Sequence, residues 1–422
     1  MGLSSRRAFL SQAAASLALA RPGDDSATAT PNPTLLRNAL RLACTWLTDV
    51  AQIKSDKLTA ENNSRQLMHK HWRGAMRGEY RVADRKWDFS CPVWHTGQAI
   101  KALVQASRVM EDDSLVHAAK FSAEFMAAER ISERRNKNFG LIFGFEDNSD
   151  EVNTSAVLEC VDGLFVLSDV AGDRHYGDWA LDAAFWVARN AYLADGLFRD
   201  AFDVKNGKFV APPWQSDKPG RPLIDDAILL KAWKRTKNPL CRKLFFAAAD
   251  RLLKDEDPPG NWISYPPCNL KTGMIHPRQA YWWGYPMLAA WQESGERKYL
   301  DCARRAGEWY LHAMRTDGGM FRNTSRDFRT ASFGQETSGI ACAAILWQDL
   351  YKETKEERWM AAAQKALNYC LTMQFREVQD ASLKGAILER VAAPNGTDRS
   401  PYYVRDLATI FFVQAASRML LA

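Results

Sequence analysis

The chain has 422 residues, of which 46% are hydrophobic, 25% charged and 11% aromatic, which excludes a disordered or low-complexity protein and supplies ample core. Its formal charge of +6 includes Arg6 and Arg7 in an acid-free leader of twenty residues, and the remainder carries 54 basic against 50 acidic residues. So small and evenly spread a balance argues against nucleic acid as a partner and is compatible with an acidic substrate.

The first element is Ser5-Arg6-Arg7-Ala8-Phe9-Leu10, followed by a mild apolar run from Ala13 to Ala20. It resembles a twin-arginine export signal, with cleavage after Ala20 or Ala29. The resemblance implies the twin-arginine export machinery as a partner and a periplasmic or secreted destination. The apolar run is too short to span a bilayer as a mature helix, and no later segment is long enough, so no membrane partner is expected for the mature form. The division expected is residues 1–30 as signal peptide and linker and 31–422 as one domain.

Amphipathic patterns then predict helices at 35–53, 91–111, 114–130, 153–171, 174–193, 221–236, 239–254, 276–294, 296–314, 335–353, 356–374 and 401–421. Tight turns inside successive pairs fall near Asp113, Arg174, Asn238, Arg297 and Glu357, in steps of 61, 64, 59 and 60 residues. So regular a period means repeated units. The first helix of each pair is apolar on several faces and the second is striped, so six buried helices ringed by six outer ones are expected. The fold class predicted is all-α, an (α/α)6 toroid of six helical hairpins. The long connections all fall on one rim, where function concentrates. Eight scattered cysteines form no Cys-x-x-Cys pair, and no His cluster has zinc spacing, so the thiols read as core and no metal or cofactor is expected.

Chemistry-bearing residues gather where the inner helices begin. The third starts with Asp225 and Asp226. Acids in a first turn suit the helix dipole, but one on the apolar side is raised in pKa by burial and becomes a proton donor. The other starts carry Trp94-His95-Thr96-Gly97, Val161-Asp162-Gly163, Arg278-Gln279-Ala280-Tyr281-Trp282-Trp283, Glu336-Thr337-Ser338-Gly339 and Tyr403-Val404-Arg405-Asp406. Acids with aromatic faces and arginines make a carbohydrate site.

In order and spacing these motifs resemble the unsaturated glucuronyl and rhamnogalacturonyl hydrolases, glycoside hydrolase families 88 and 105, within the six-hairpin glycosidases. Leu223-Ile224-Asp225 is similar to the family's Ile-Asp, Arg278 to Trp282 to its Arg-Gly-Gln-Ala-Trp, and Glu336 to Gly339 to its Glu-Thr-Ser-Gly. The glycine after the arginine is missing at position 279, and Trp282-Trp283 is bulkier. Val161-Asp162-Gly163 also fits the acidic motif, so the roles of Asp162 and Asp225 are interchangeable at this stage. The resemblance implies hydration of a terminal 4,5-unsaturated uronyl residue on an oligosaccharide. Asp225 is then the acid–base and Asp162 its support. Asp226, Trp94, His95, Arg278, Trp282, Trp283, Glu336, Tyr403 and Arg405 are the candidates to hold substrate. A polysaccharide lyase or uronate epimerase on the same scaffold, or a glycan-binding protein without turnover, is the alternative.

Overall fold

Asp and Asn at the tight turns explain why the hairpins form where they do. Asp112, Asp173 and Asn238 each accept a hydrogen bond from the second or third backbone N–H of the outer helix that follows, satisfying donors that a helix start leaves open. The protein is seen in a computed structural model that describes residues 31–57, 62–64, 69, 71–145, 151–211, 218–330, 334, 336–391 and 402–421. The leader and its arginine motif lie outside the described residues.

Among these, the helices in chain order are α1 Pro33–Thr45, α2 Pro92–Met110, α3 Asp113–Ala128, α4 Thr154–Ala171, α5 Arg174–Asn190, α6 Ile228–Thr236, α7 Pro239–Asp255, α8 Arg278–Gly284, α9 Pro286–Ser294, α10 Arg297–Ala313, α11 Thr337–Thr354, α12 Glu357–Thr372 and α13 Asp406–Leu421. The pair α8 and α9 is one inner member, interrupted before Pro286, which has no N–H to donate. Inner helices α2, α4, α6, α8–α9, α11 and α13 pack in sequence, and α13 returns to α2, closing the ring. Each also packs on its outer partner, with α1 serving α13 across the chain termini. This is the expected (α/α)6 toroid.

Four boundaries differ from the sequence reading. The first helix gives way to a π turn at Trp46–Ala51. The helix expected over 221–236 is regular only from Ile228, because Asp226 and Ala227 take left-handed φ of 47° and 54°. The connection before α2 forms strands, β1 Glu79–Arg81 and β2 Lys86–Phe89, because Tyr80, Trp87 and Phe89 bury their rings there. The last inner helix is preceded by a strand, β3 Tyr402–Arg405. Antiparallel pairing of β1 with β3 sets Glu79 opposite Arg405 and so carries Arg405 to the rim.

The inner helices α2 and α4 approach at backbone contact. A Cβ at Gly97 would stand 2.1 Å from the Cys160 carbonyl oxygen, and one at Gly163 would stand 2.1 Å from that of Gly97. The two glycines therefore let the starts of α2 and α4, with Trp94, His95 and Glu159, converge on one mouth. All eight cysteines are buried, and among the described residues no helix is long and apolar enough to cross a membrane.

Candidate active site at the mouth of the ring

The turn that separates Asp225 from Asp226 divides the site. Arg221 is tied by its backbone to Phe198 in both directions, at 2.8 and 2.9 Å, and the chain then enters the short 3-10 turn Asp225–Ala227, which packs against α4 and α8. Left-handed φ at Asp226 turns that carboxylate inward. It accepts from Gln98 Nε2 at 2.8 Å and from Lys101 Nζ at 2.9 Å. Lys101 Nζ also lies 2.8 Å from Asp162 Oδ2, and Lys231 Nζ donates to Asp162 Oδ1 at 2.5 Å. Burial alone would raise the pKa of Asp162, but the two ammonium groups outweigh it and hold the carboxyl below its usual range. Burial would lower Lys101, and Asp162 and Asp226 outweigh that too, keeping it charged. Asp162 and Asp226 therefore belong to a saturated ion network inside the ring. The structure thus sets Asp162 and Asp226 in contacts other than those read for them, support of the acid and contact with substrate: Asp162, held low by two ammonium groups, has no proton to give near neutrality, and the Asp226 carboxylate is engaged by Gln98 and Lys101.

Asp225 has the opposite surroundings. It is 1% exposed, and among the described residues neither carboxyl oxygen has a partner beyond its own backbone N–H. Burial pushes its pKa up to about 7; Arg221 opposes the rise, and Asp226 and Asp200 add to it. Asp200, 3.5 Å from Arg221 Nε, is itself raised by burial. An acid with a proton to give near neutrality thus sits at the start of the third inner helix.

Across the mouth, α2 opens with Cys91 at a left-handed φ of 49° and Pro92 in its first turn. Trp94 Nε1 donates to Glu159 Oε2 of α4 at 2.8 Å. His95 Nδ1 lies 2.6 Å from Asp406 Oδ1 at the start of α13. The Arg405 guanidinium reaches His95 Nε2 at 3.5 Å and Cys91 Sγ at 3.7 Å. Arg278 lies 5.6 Å from the Trp94 ring centre and 5.2 Å from that of Trp282, within cation–π range. The Trp94 and Trp282 rings are 6.3 Å apart. Glu336 gathers Arg278 Nε at 3.2 Å, Arg322 Nη1 at 2.8 Å and His276 Nε2 at 3.7 Å. His276 stacks on Trp282 at 5.9 Å. Glu389, raised by burial and by Glu336, accepts from the Ser338 N–H at 2.9 Å and its hydroxyl at 2.6 Å. Burial lowers both imidazoles, His276 strongly; Glu336 opposes this at His276 and Asp406 opposes it at His95.

The structure thus brings Trp94, His95, Arg278, Trp282, Glu336 and Arg405 together. It takes Trp283 away: that ring is fully buried against Trp262 and Tyr265, at 5.6 and 5.2 Å, a correction that follows from helical rotation between adjacent positions. Tyr403 pairs through its backbone with Arg81 and Arg390, and its side chain lies outside the described residues. Sequence reasoning missed Lys101, Lys231, His276, Arg322 and Glu389. Lys101 had a legible signal, a lone charge within Ala99-Ile100-Lys101-Ala102-Leu103. Arg322 and Glu389 lie on loops without periodicity and had none. Among the described residues no group of three or more His, Cys, Asp or Glu side chains is placed to hold a metal ion. The mouth can bind an anion through arginine, stack a sugar ring on indole, and move protons through an acid of pKa near 7 and a neutral imidazole.

No protein-family model matches the sequence, and no curated protein is similar to it by sequence. Solved structures are similar in fold. An unsaturated glucuronyl hydrolase specific for heparin matches with a TM-score of 0.68 at 15% identity, over 92% of this chain and 97% of its own. The unsaturated glucuronyl hydrolase of Bacillus sp. GL1, responsible for the degradation of glycosaminoglycan, matches with a TM-score of 0.65 at 16% identity, over 91% and 96%. A D-mannose isomerase matches with a TM-score of 0.65 at 13% identity, over 92% and 97%. All three are enzymes on the toroid seen here, and likeness at such identity establishes the fold alone.

Proposed function

We propose that this chain is an exported enzyme that hydrates a terminal 4,5-unsaturated uronyl residue of an oligosaccharide. One observation carries the reading: Asp225, a buried acid with a pKa near 7 whose carboxyl oxygens have no side-chain partner among the described residues, opens the turn that packs on α8, the helix that begins with Arg278. Asp225 gives its proton to C4 of the vinyl ether, and water adds at C5. The resulting hemiketal opens at its C5–ring oxygen bond, and the hemiacetal left at C1 collapses to an aldehyde, its hydroxyl proton passing to the glycosidic oxygen as the C1–O bond to the sugar behind it breaks. Arg278 and Arg405 hold the uronate carboxylate, and Trp94 and Trp282 flank the ring. Glu336 keeps Arg278 and Arg322 in place. The motif Ser5–Leu10 supports export. Two of the similar structures are unsaturated glucuronyl hydrolases by name, which adds to this reading.

The test is to incubate the protein with lyase-generated unsaturated disaccharides and follow the ultraviolet absorbance of the C4–C5 double bond. The reading expects the absorbance to fall, and no fall with any unsaturated uronide would end it. A rise with intact polysaccharide would identify a lyase. A second reading, epimerase or isomerase, is favoured by the two neutral imidazoles His95 and His276 on the same rim. It expects deuterium from heavy water to enter a saturated sugar beside its carbonyl carbon. A glycan-binding protein would bind the disaccharide and change neither signal.

A further inference from the structure

Resting on the uronide reading of the mouth, we infer that His95, oriented by Asp406, is the base that activates the water adding at C5. The Asp406 carboxylate is fixed: its Oδ2 accepts from the Gly78 N–H at 2.9 Å, and its own N–H donates to the Gly78 carbonyl at 2.9 Å. Its other oxygen faces His95 Nδ1 at 2.6 Å. A carboxyl oxygen at that distance, facing Nδ1, favours the tautomer with its proton on Nδ1 and the lone pair on Nε2. His95 is fully buried, so its ring has one orientation.

The charged groups that face it come from every side of the mouth. Asp406 and Arg405 come from the junction of β3 and α13, Arg278 from α8, and Cys91 from the residue before α2. Burial, Arg405 and Arg278 disfavour the protonated ring, while Asp406 alone favours it. The ring is therefore neutral at neutral pH. Its Nε2 lies 3.5 Å from the arginine proposed to hold the carboxylate. In a uronide the carbon bearing that carboxylate is C5, the carbon that water attacks. Asp225 starts a different inner helix, so acid and base approach C4 and C5 from separate walls.

The proton count closes. Asp225 protonates C4 with the electron pair of the double bond. Water bonds to C5 and its proton passes to His95 Nε2. In the hemiketal, the new C5 hydroxyl then returns a proton to the Asp225 carboxylate as the carbonyl forms. The C5–ring oxygen bond breaks, and His95 gives its proton to that oxygen. Both residues end as they began.

The experiment measures turnover of an unsaturated uronide by wild type, His95→Asn, His95→Gln, Asp406→Asn and Asp225→Asn across pH, with histidine 15N resonances of unsubstituted protein recorded in parallel. His95→Asn offers its amide near the Nδ1 position and so keeps the contact with Asp406, while removing Nε2. The inference expects both His95 variants to lose at least about a hundredfold in kcat, with KM within about threefold of wild type. Asp406→Asn should lose turnover and move the acid limb of the kcat/KM profile. The 15N spectrum of wild type should show His95 neutral and protonated on Nδ1 at pH 7, whatever the fate of the variants. His95 variants that match wild type while Asp225→Asn is dead would overturn the role of His95 and leave the uronide reading standing. A His95 that carries its proton on Nε2 would overturn it as well. A wild type inert on every unsaturated uronide would sink both together.

Discussion

Asp225 and Asp226 are consecutive in the chain, identical in side chain and both buried, and the ring gives them different surroundings. Asp226 is turned inward onto Lys101 and Gln98, completing a network in which Asp162 is shared by Lys101 and Lys231. Asp225 points its carboxyl where no side chain among the described residues answers it. The carboxylates of Asp162 and Asp226 are therefore matched by cations and that of Asp225 is not. An unmet polar group costs stability, and its persistence at the rim is what an acid poised for substrate requires. The left-handed pair Asp226–Ala227 is the device that points two neighbours in different directions.

The largest effect should come from removing the unmet partner. Asp225→Asn is expected to lower kcat on an unsaturated uronide by about 100-fold to 10,000-fold, whereas Asp226→Asn should act mainly on stability. Wild-type activity should fall as pH rises through about 7, where Asp225 loses its proton. The same substitution should stabilise the fold. The folded pKa of Asp225 is raised from 3.8 to about 7, so between those values the native state holds a proton that the unfolded state has released. Stability from this group therefore falls as pH rises across that window and stays low above it. Asp225→Asn should accordingly melt higher than wild type at pH 8 and no higher at pH 4. Asp162 has the opposite sign: its lowered pKa contributes stability that is lost in acid.

Next in size is the interior. Lys101→Met leaves buried Asp226 with Gln98 and no cation and Asp162 with Lys231 alone, and breaking such a network costs about 3–5 kcal/mol, read as a shift in the denaturant midpoint. Adding Asp226→Asn should recover part of that loss by removing one stranded charge. Lys101→Met at wild-type stability would show that the node contributes nothing, and the contrast between mouth and interior would fail.

A third effect lies at the arginines. Arg278 serves both substrate and Glu336 in the proposed site, so Arg278→Met should raise KM for an unsaturated uronide at least about tenfold, the loss of one charge-assisted contact. An unchanged KM would move carboxylate binding to Arg405 or Arg322.

The toroid was legible because its signals repeat. The sixty-residue period and the contrast between all-apolar and striped helices each occur several times, and Asp112, Asp173 and Asn238 mark the turns as caps. The mouth was legible in part, since inner-helix starts share one rim and Trp94, His95, Arg278, Trp282, Glu336 and Arg405 are such starts. What could not be read was direction. Asp162 fits the acidic motif as well as Asp225 does, yet it lies in the middle of α4, two turns beyond the start, where Lys101 meets it. Trp283 differs from Trp282 by one position, and that rotation is enough to send it into the core. The left-handed turn at Asp226 and Ala227 was hidden because neither is glycine.

That turn supplies the smallest and most local test. Ala227 holds φ of 54° although it carries a Cβ, which costs about 1–2 kcal/mol relative to glycine. Ala227→Gly removes that strain, but it also loses a buried methyl of about 0.8 kcal/mol and loosens the unfolded chain by about 0.4–1 kcal/mol. These nearly cancel, so the melting temperature should hardly move. Ala232 in α6 is equally buried and helical, so Ala232→Gly suffers the two losses without the relief. The two variants should therefore differ by about 1–2 kcal/mol in favour of Ala227→Gly. Despite unchanged stability, Ala227→Gly should lower kcat several-fold, because a glycine turn no longer fixes the direction of Asp225. Equal losses at positions 227 and 232 would mean that the turn is unstrained. Full activity in Ala227→Gly would mean that Asp226, through Lys101, orients Asp225 without help from the backbone.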